Sequence, residues 1–170
     1  MTTTTPARRP VVGLLFALAG LLATLSIIFV LAHVVFGGVW FGIVVDAALT
    51  LGFLFLAIGS AGGTVARIFF AIAAVGWAIL TIGGFVTLGV VFTIGVVLAI
   101  VGSLVGGVLA VGNKIFSRAA NLVFLLATVF IALVLFNQLF LYLAGPIAIV
   151  VVALYAVLLL IAGILIAIRK

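Results

Sequence analysis

Over residues 10–168 only four charged side chains interrupt the chain: Asp46, Arg67, Lys114 and Arg118. A helix that crosses a bilayer takes about 20 apolar residues, and the sequence divides into six such stretches, roughly 11–36, 39–59, 65–83, 85–111, 119–143 and 146–168. The breaks fall at Gly37 and Gly38, from Ser60 to Thr64, at Gly83 and Gly84, from Gly112 to Arg118, and at Gly145 and Pro146. With 70% hydrophobic and 5% charged residues, the chain lacks the polar surface of a water-soluble globule. The expected fold is an all-α membrane protein, a six-transmembrane-helix bundle built from three helical hairpins. Residues 11–170 form its single membrane domain, behind a disordered tail at 1–10.

Charge sets the expected threading. A net charge of +6 suggests nucleic acid only when the basic residues gather on one face or in a solvated tail. Here they sit in small clusters between apolar runs, so the bilayer is the expected partner and nucleic acid is not. With the amino terminus in the cytoplasm, Arg8 and Arg9, Arg67, Lys114 and Arg118, and Arg169 and Lys170 all fall on the cytoplasmic side. That accounts for all seven basic residues and favours six spans over five or four. It also predicts a multi-pass protein of the cell membrane with both termini cytoplasmic. The opening "MTTTTPARRP" and the apolar run behind it differ from a secretory signal, whose apolar core has about 7–15 residues. The run here continues to Phe36, which predicts an uncleaved first helix.

A weak repeat is visible. "FALAG" at 16–20, "FAIAA" at 70–74 and "FLLAT" at 124–128 recur at a spacing of 54, each near the start of an odd-numbered helix. "LAIG", "LAVG" and "IAIR" close the even-numbered ones. Triplication of a helical hairpin produces such a pattern, and so does a composition this rich in Ala, Leu, Ile and Val. In outline, three hairpins in a six-span chain resemble the HdeD-like membrane proteins, a family of bacterial stress-associated proteins. The likeness lies in topology alone: this chain has only Pro146 in an outer turn where that family's hairpins carry more prolines, and the resemblance assigns a role to no residue.

Small residues mark where helices press together in lipid. Gly95, Ala99, Ser103 and Gly107 recur every four residues on helix four, predicting a packing seam against a neighbouring span or a second copy. Gly38, Gly42, Asp46 and Thr50 do the same on helix two. A lipid-facing carboxylate costs about 2.5–3.5 kcal/mol on insertion scales, so Asp46 is expected to point into protein on that seam. His33, on helix one about one turn nearer the outer surface, is its expected partner, with Ser26 extending a polar track down the same helix. Asn137, Gln138 and Tyr142 form a second polar cluster near the outer end of helix five. Trp40 and Tyr142 fit an interfacial aromatic belt, and Asn137 and Gln138 fit interhelical hydrogen bonding.

These residues narrow the function. There is no cysteine and one histidine, hence no thiolate chemistry and no expected metal site or cofactor. A lone His and Asp do not make a catalytic constellation, and the loops are too short to hold a soluble catalytic domain. The favoured role is non-enzymatic: an accessory, packing or membrane-organising component that meets a membrane-protein partner or self-associates through helix four. The alternative is a small transporter or proton-coupled carrier in which Asp46 and His33 exchange protons. Six spans in a chain this short are also similar in outline to substrate-binding subunits of energy-coupling-factor vitamin transporters, although polar pocket residues suited to a vitamin are scarce.

Overall fold

The computed structural model describes residues 9–31, 38–59, 62–83, 89–137 and 146–168. They form six helices: α1 (Arg9–Leu31), α2 (Gly38–Gly59), α3 (Gly63–Gly83), α4 (Gly89–Gly112), α5 (Arg118–Phe136) and α6 (Pro146–Ile168). All six are long and apolar enough to cross a membrane. Helix α1 starts within the expected tail, at Arg9, because Pro10 in a first helical turn removes only an N–H that has no partner there. The expected extensions of the first and fifth helices to 36 and 143, and residues 85–88 of the fourth, lie outside the described residues.

In a segment apolar on every side, hydrophobicity cannot choose the buried face; side-chain size does. Leu14, Leu18 and Leu21 of α1 and Leu122, Leu126 and Leu133 of α5 are exposed on the outside, whereas Ala19, Ala73, Ala99 and Ala127 are fully buried. Each helix packs on the next in sequence and α6 packs back on α1, so the six close into a ring. The two closest pairs are α3 with α4 and α1 with α6. Of the three expected hairpins only one coincides with a close pair, and the two ends of the chain make the other.

Both close pairs depend on missing side chains. A methyl group at Gly76 would overlap the backbone of Ala99, and one at Gly102 the backbone of Ala73. On the other side of the ring, Gly13 meets Ala167, Gly20 meets Leu160 and Gly163 meets Ala17 in the same way. Lipid gives helices no hydrophobic reason to associate, so dispersion between closely approaching backbones carries the attraction. Both pairings run antiparallel, as the descending partner numbers show.

The basic residues among those described, Arg9, Arg67, Lys114 and Arg118, lie at one end of the ring. At that end the turn from α4 to α5 is firmly built. Lys114 takes a positive φ of 51°, and Ile115 N–H donates to Ala110 O at 3.1 Å while Lys114 N–H donates to Val111 O at 3.2 Å, closing α4 as a Schellman-type cap. Ser117 then caps α5. Asn121 reaches back to Phe116, its Oδ1 accepting from the main-chain N–H and its Nδ2 donating to the carbonyl, both at 3.0 Å. Asn113 Nδ2 ties the turn to Gly62 O at 2.7 Å. Because Asn121 satisfies two buried main-chain groups at once, Asn121→Ala is expected to destabilise the bundle by about 2–4 kcal/mol, read as a lower unfolding midpoint in mixed micelles.

Inside the ring, toward the basic end, sits a cluster of fully buried phenylalanines: Phe16, Phe53, Phe70 and Phe124. Phe53 of α2 is the hub, with ring centroids 5.3 Å from Phe16, 6.3 Å from Phe70 and 6.2 Å from Phe124. Phe16 and Phe124 also meet edge to face at 5.3 Å. This cluster fills one half of the ring's interior. The other half holds a cavity.

Candidate functional site

Above the phenylalanines lies a cavity of about 280 Å³ lined by residues from all six helices. The odd-numbered helices build it in step, and the 54-residue spacing explains how. Phe16, Phe70 and Phe124 occupy the plug; three residues on, Ala19, Ala73 and Ala127 are fully buried. Seven residues on, Ala23, Trp77 and Ile131 line the cavity, and ten residues on Ser26, Leu80 and Val134 do so. Steps of three and seven return to one helical face, so a single stripe on each odd helix first fills the centre and then walls the space. The even helices add Gly42, Val45 and Asp46 from α2, Phe92 from α4, and Val152 and Tyr155 from α6.

Most of this lining is aliphatic or aromatic, and the polar groups are few enough to follow individually. Trp77 Nε1 donates to Ser103 Oγ at 3.3 Å, within the buried interface of α3 and α4. Thr50 Oγ1 donates to the main-chain carbonyl of Asp46 at 2.8 Å, which leaves the carboxylate uninvolved. Tyr155 is only 7% exposed and lies near enough to Asp46 for the two to interact electrostatically. Among the described residues, neither the Asp46 carboxylate nor the Tyr155 hydroxyl has a hydrogen-bond or ion-pair partner. Buried polar groups are nearly always satisfied, so the buried Tyr155 hydroxyl and the half-buried Asp46 carboxylate, in one cavity wall and unpartnered among the described residues, leave room for a polar occupant.

The structure corrects the expectation for helix two. Gly42 does not serve a packing seam: a Cβ built there meets nothing within 4 Å, and both Gly42 and Asp46 face the cavity. The neighbours α1 and α3 pack on the flanks of α2, so the face between them looks into the centre of the ring. Gly38 starts the helix. On helix four the small residues are fully buried, facing two neighbours at once. Gly95 faces Ile79 of α3, Ala99 packs under Gly76, Ser103 receives Trp77, and Gly107 faces Thr128 of α5. That face is therefore packed within the chain.

His33, Gln138 and Tyr142 lie outside the described residues, so the expected pairing of His33 with Asp46 and most of the second polar cluster do too. Asn137 follows the last turn of α5, its N–H bonded to the carbonyls of Leu133 and Val134. Trp40 is 65% exposed in the first turn of α2. Sequence reasoning passed over Tyr155, Trp77 and Asn121. Tyr155 had a usable signal, the single phenol in a span of otherwise aliphatic residues, the same oddity that singled out Asp46.

The outline shared with HdeD-like proteins has no counterpart in sequence or structure comparison: no family model, no curated protein and no solved structure matches the chain.

Proposed function

We propose that the chain is a non-enzymatic multi-pass protein of the cell membrane, threaded as three consecutive hairpins with both termini cytoplasmic. It holds a small, largely apolar solute between its six helices and serves as that solute's carrier or binding subunit. The cavity is the observation that carries this: all six helices contribute to its wall, and Ser26, Asp46 and Tyr155 lie in that wall among apolar residues. Pockets of this kind, apolar with a few placed polar groups, are the usual form of a small-molecule site between the helices of a bundle. The basic residues at one end make that end cytoplasmic by the positive-inside rule. The cavity then lies in the outer half, and the phenylalanine cluster separates it from the cytoplasmic end. An accessory or membrane-organising role needs only the outer surface of the ring and leaves the cavity without a use. A carrier uses both. Catalysis finds less support, since Asp46 is the single acidic residue and no three His, Cys, Asp or Glu gather among the described residues.

The chain has no cysteine, so single introduced cysteines report access without background. Ser26→Cys and Gly42→Cys are expected to react with a membrane-impermeant methanethiosulfonate added outside intact cells, and Lys114→Cys only after permeabilisation. Inert cysteines at both cavity positions from either side, in protein whose Lys114→Cys reacts normally, would mean a sealed void and end the proposal. Labelling of the cavity from the same side as Lys114 would reverse the orientation.

A further inference from the structure

We propose that the solute is a small lipophilic monocation, held by the Asp46 carboxylate among the aromatic rings of Trp77, Phe92 and Tyr155. This rests on the cavity being a binding site and adds the chemical class of what fills it. An ionised carboxylate inside an apolar bundle is costly unless a cation meets it. Among the described residues none does: Arg9, Arg67, Lys114 and Arg118 lie at the far end of the ring, at least about 15 Å along the helices from the lining residues. Asp46 is also the only acidic residue of the chain, so the cavity wall holds its one side chain able to carry a full negative charge at neutral pH.

The aromatic residues point the same way. Rings present a negative face to a cation, and three of them share this cavity with the carboxylate. Trp77 has already given its N–H to Ser103, so the indole offers the cavity a ring and not a donor. Among the described residues of the wall, an anion would find no basic group and would meet a carboxylate. A sugar-like solute would find too few polar partners, with Ser26, Asp46 and Tyr155 set among aliphatic walls. Size follows from volume: a cavity of about 150 Å³ takes benzene, so about 280 Å³ suits roughly a dozen non-hydrogen atoms.

Benzyltrimethylammonium has that size, and neopentylbenzene is its neutral isostere with carbon in place of nitrogen. Full-length protein carrying Trp40→Phe, in lipid nanodiscs, keeps Trp77 as its single tryptophan, whose emission reports binding. The cation is expected to shift that emission saturably, neopentylbenzene to bind at least tenfold more weakly, and phenylacetate not to bind. Asp46→Asn is expected to weaken the cation at least tenfold while leaving the neutral isostere unchanged. Equal affinity of cation and isostere for protein with Asp46 intact overturns the assignment without recourse to that variant, as does undiminished cation binding by Asp46→Asn. Saturable binding of neopentylbenzene alone removes the cation and leaves the cavity as a binding site. Binding of neither removes both.

Discussion

Alanine at Gly76 is expected to destabilise the bundle by about 1–3 kcal/mol or more, whereas alanine at Gly42 is expected to stabilise it by about 0.5–1 kcal/mol. The substitution is the same, both residues are helical, and the sign differs because of what each backbone faces. At Gly76 the new methyl group falls on the backbone of Ala99, and backbone cannot rotate aside as a long side chain does. Helices α3 and α4 must separate along their whole contact, losing the close approach at Gly102 and Ala73 with it. At Gly42 the methyl group enters open space, so only the relief of glycine's conformational freedom remains. Unfolding of the two variants in mixed micelles, followed by tryptophan emission and helical circular dichroism, measures both. Equal effects would mean that the ring is looser than its geometry indicates. The larger Gly42→Leu should keep the bundle intact while occupying the cavity, so loss of solute binding with unchanged stability is its expected signature.

Phe53→Ala is the second large effect. In a soluble protein most of such a loss comes from returning apolar surface to water, but a helix leaving this bundle enters lipid, and that contribution shrinks. The cavity left behind remains: about 24 cal/mol per Å³ over roughly 100 Å³ of removed ring gives about 2 kcal/mol. Phe53 also touches three rings from three other helices, edge to face with Phe16 and tilted against Phe70 and Phe124, so aromatic contacts worth about 0.5–1.5 kcal/mol each are lost beside it. A destabilisation of about 3–5 kcal/mol is expected. The functional consequence is separate: with the hub removed, the cavity extends toward the basic end, and proteoliposomes carrying Phe53→Ala should leak small cations that protein with Phe53 retains. A tight variant would place the barrier elsewhere in the ring.

How far the sequence reached is clearest at particular residues. The small residues of α4 were legible because four of them recur at every fourth position, with Gly102, Gly106 and Ala110 beside them, making a broad face on which backbones can approach closely. The matching seams of α1 and α6 were not, since Gly13, Ala17, Gly163 and Ala167 lie near opposite ends of the chain and only ring closure brings them together. The phenylalanines at 16, 70 and 124 were visible as a spacing, but not that Phe16 and Phe124 meet directly or that all three touch Phe53, which belongs to no repeat. Asp46 stood out by composition. Its surroundings did not, because glycine four residues earlier reads equally well as a seam and as an opening.

The amino-acid sequence by itself determined that the chain has six helices long and apolar enough to cross a membrane and where its charges lie, because apolar length and the placement of charge are local properties of each segment. Only the tertiary structure decided which helices pair most closely, which half of the ring is filled, and that Asp46, Trp77, Phe92 and Tyr155 share one cavity. In segments apolar on every face, hydrophobic periodicity carries no information about direction, so the inner face is selected by the fit of small residues and rings across helices far apart in sequence.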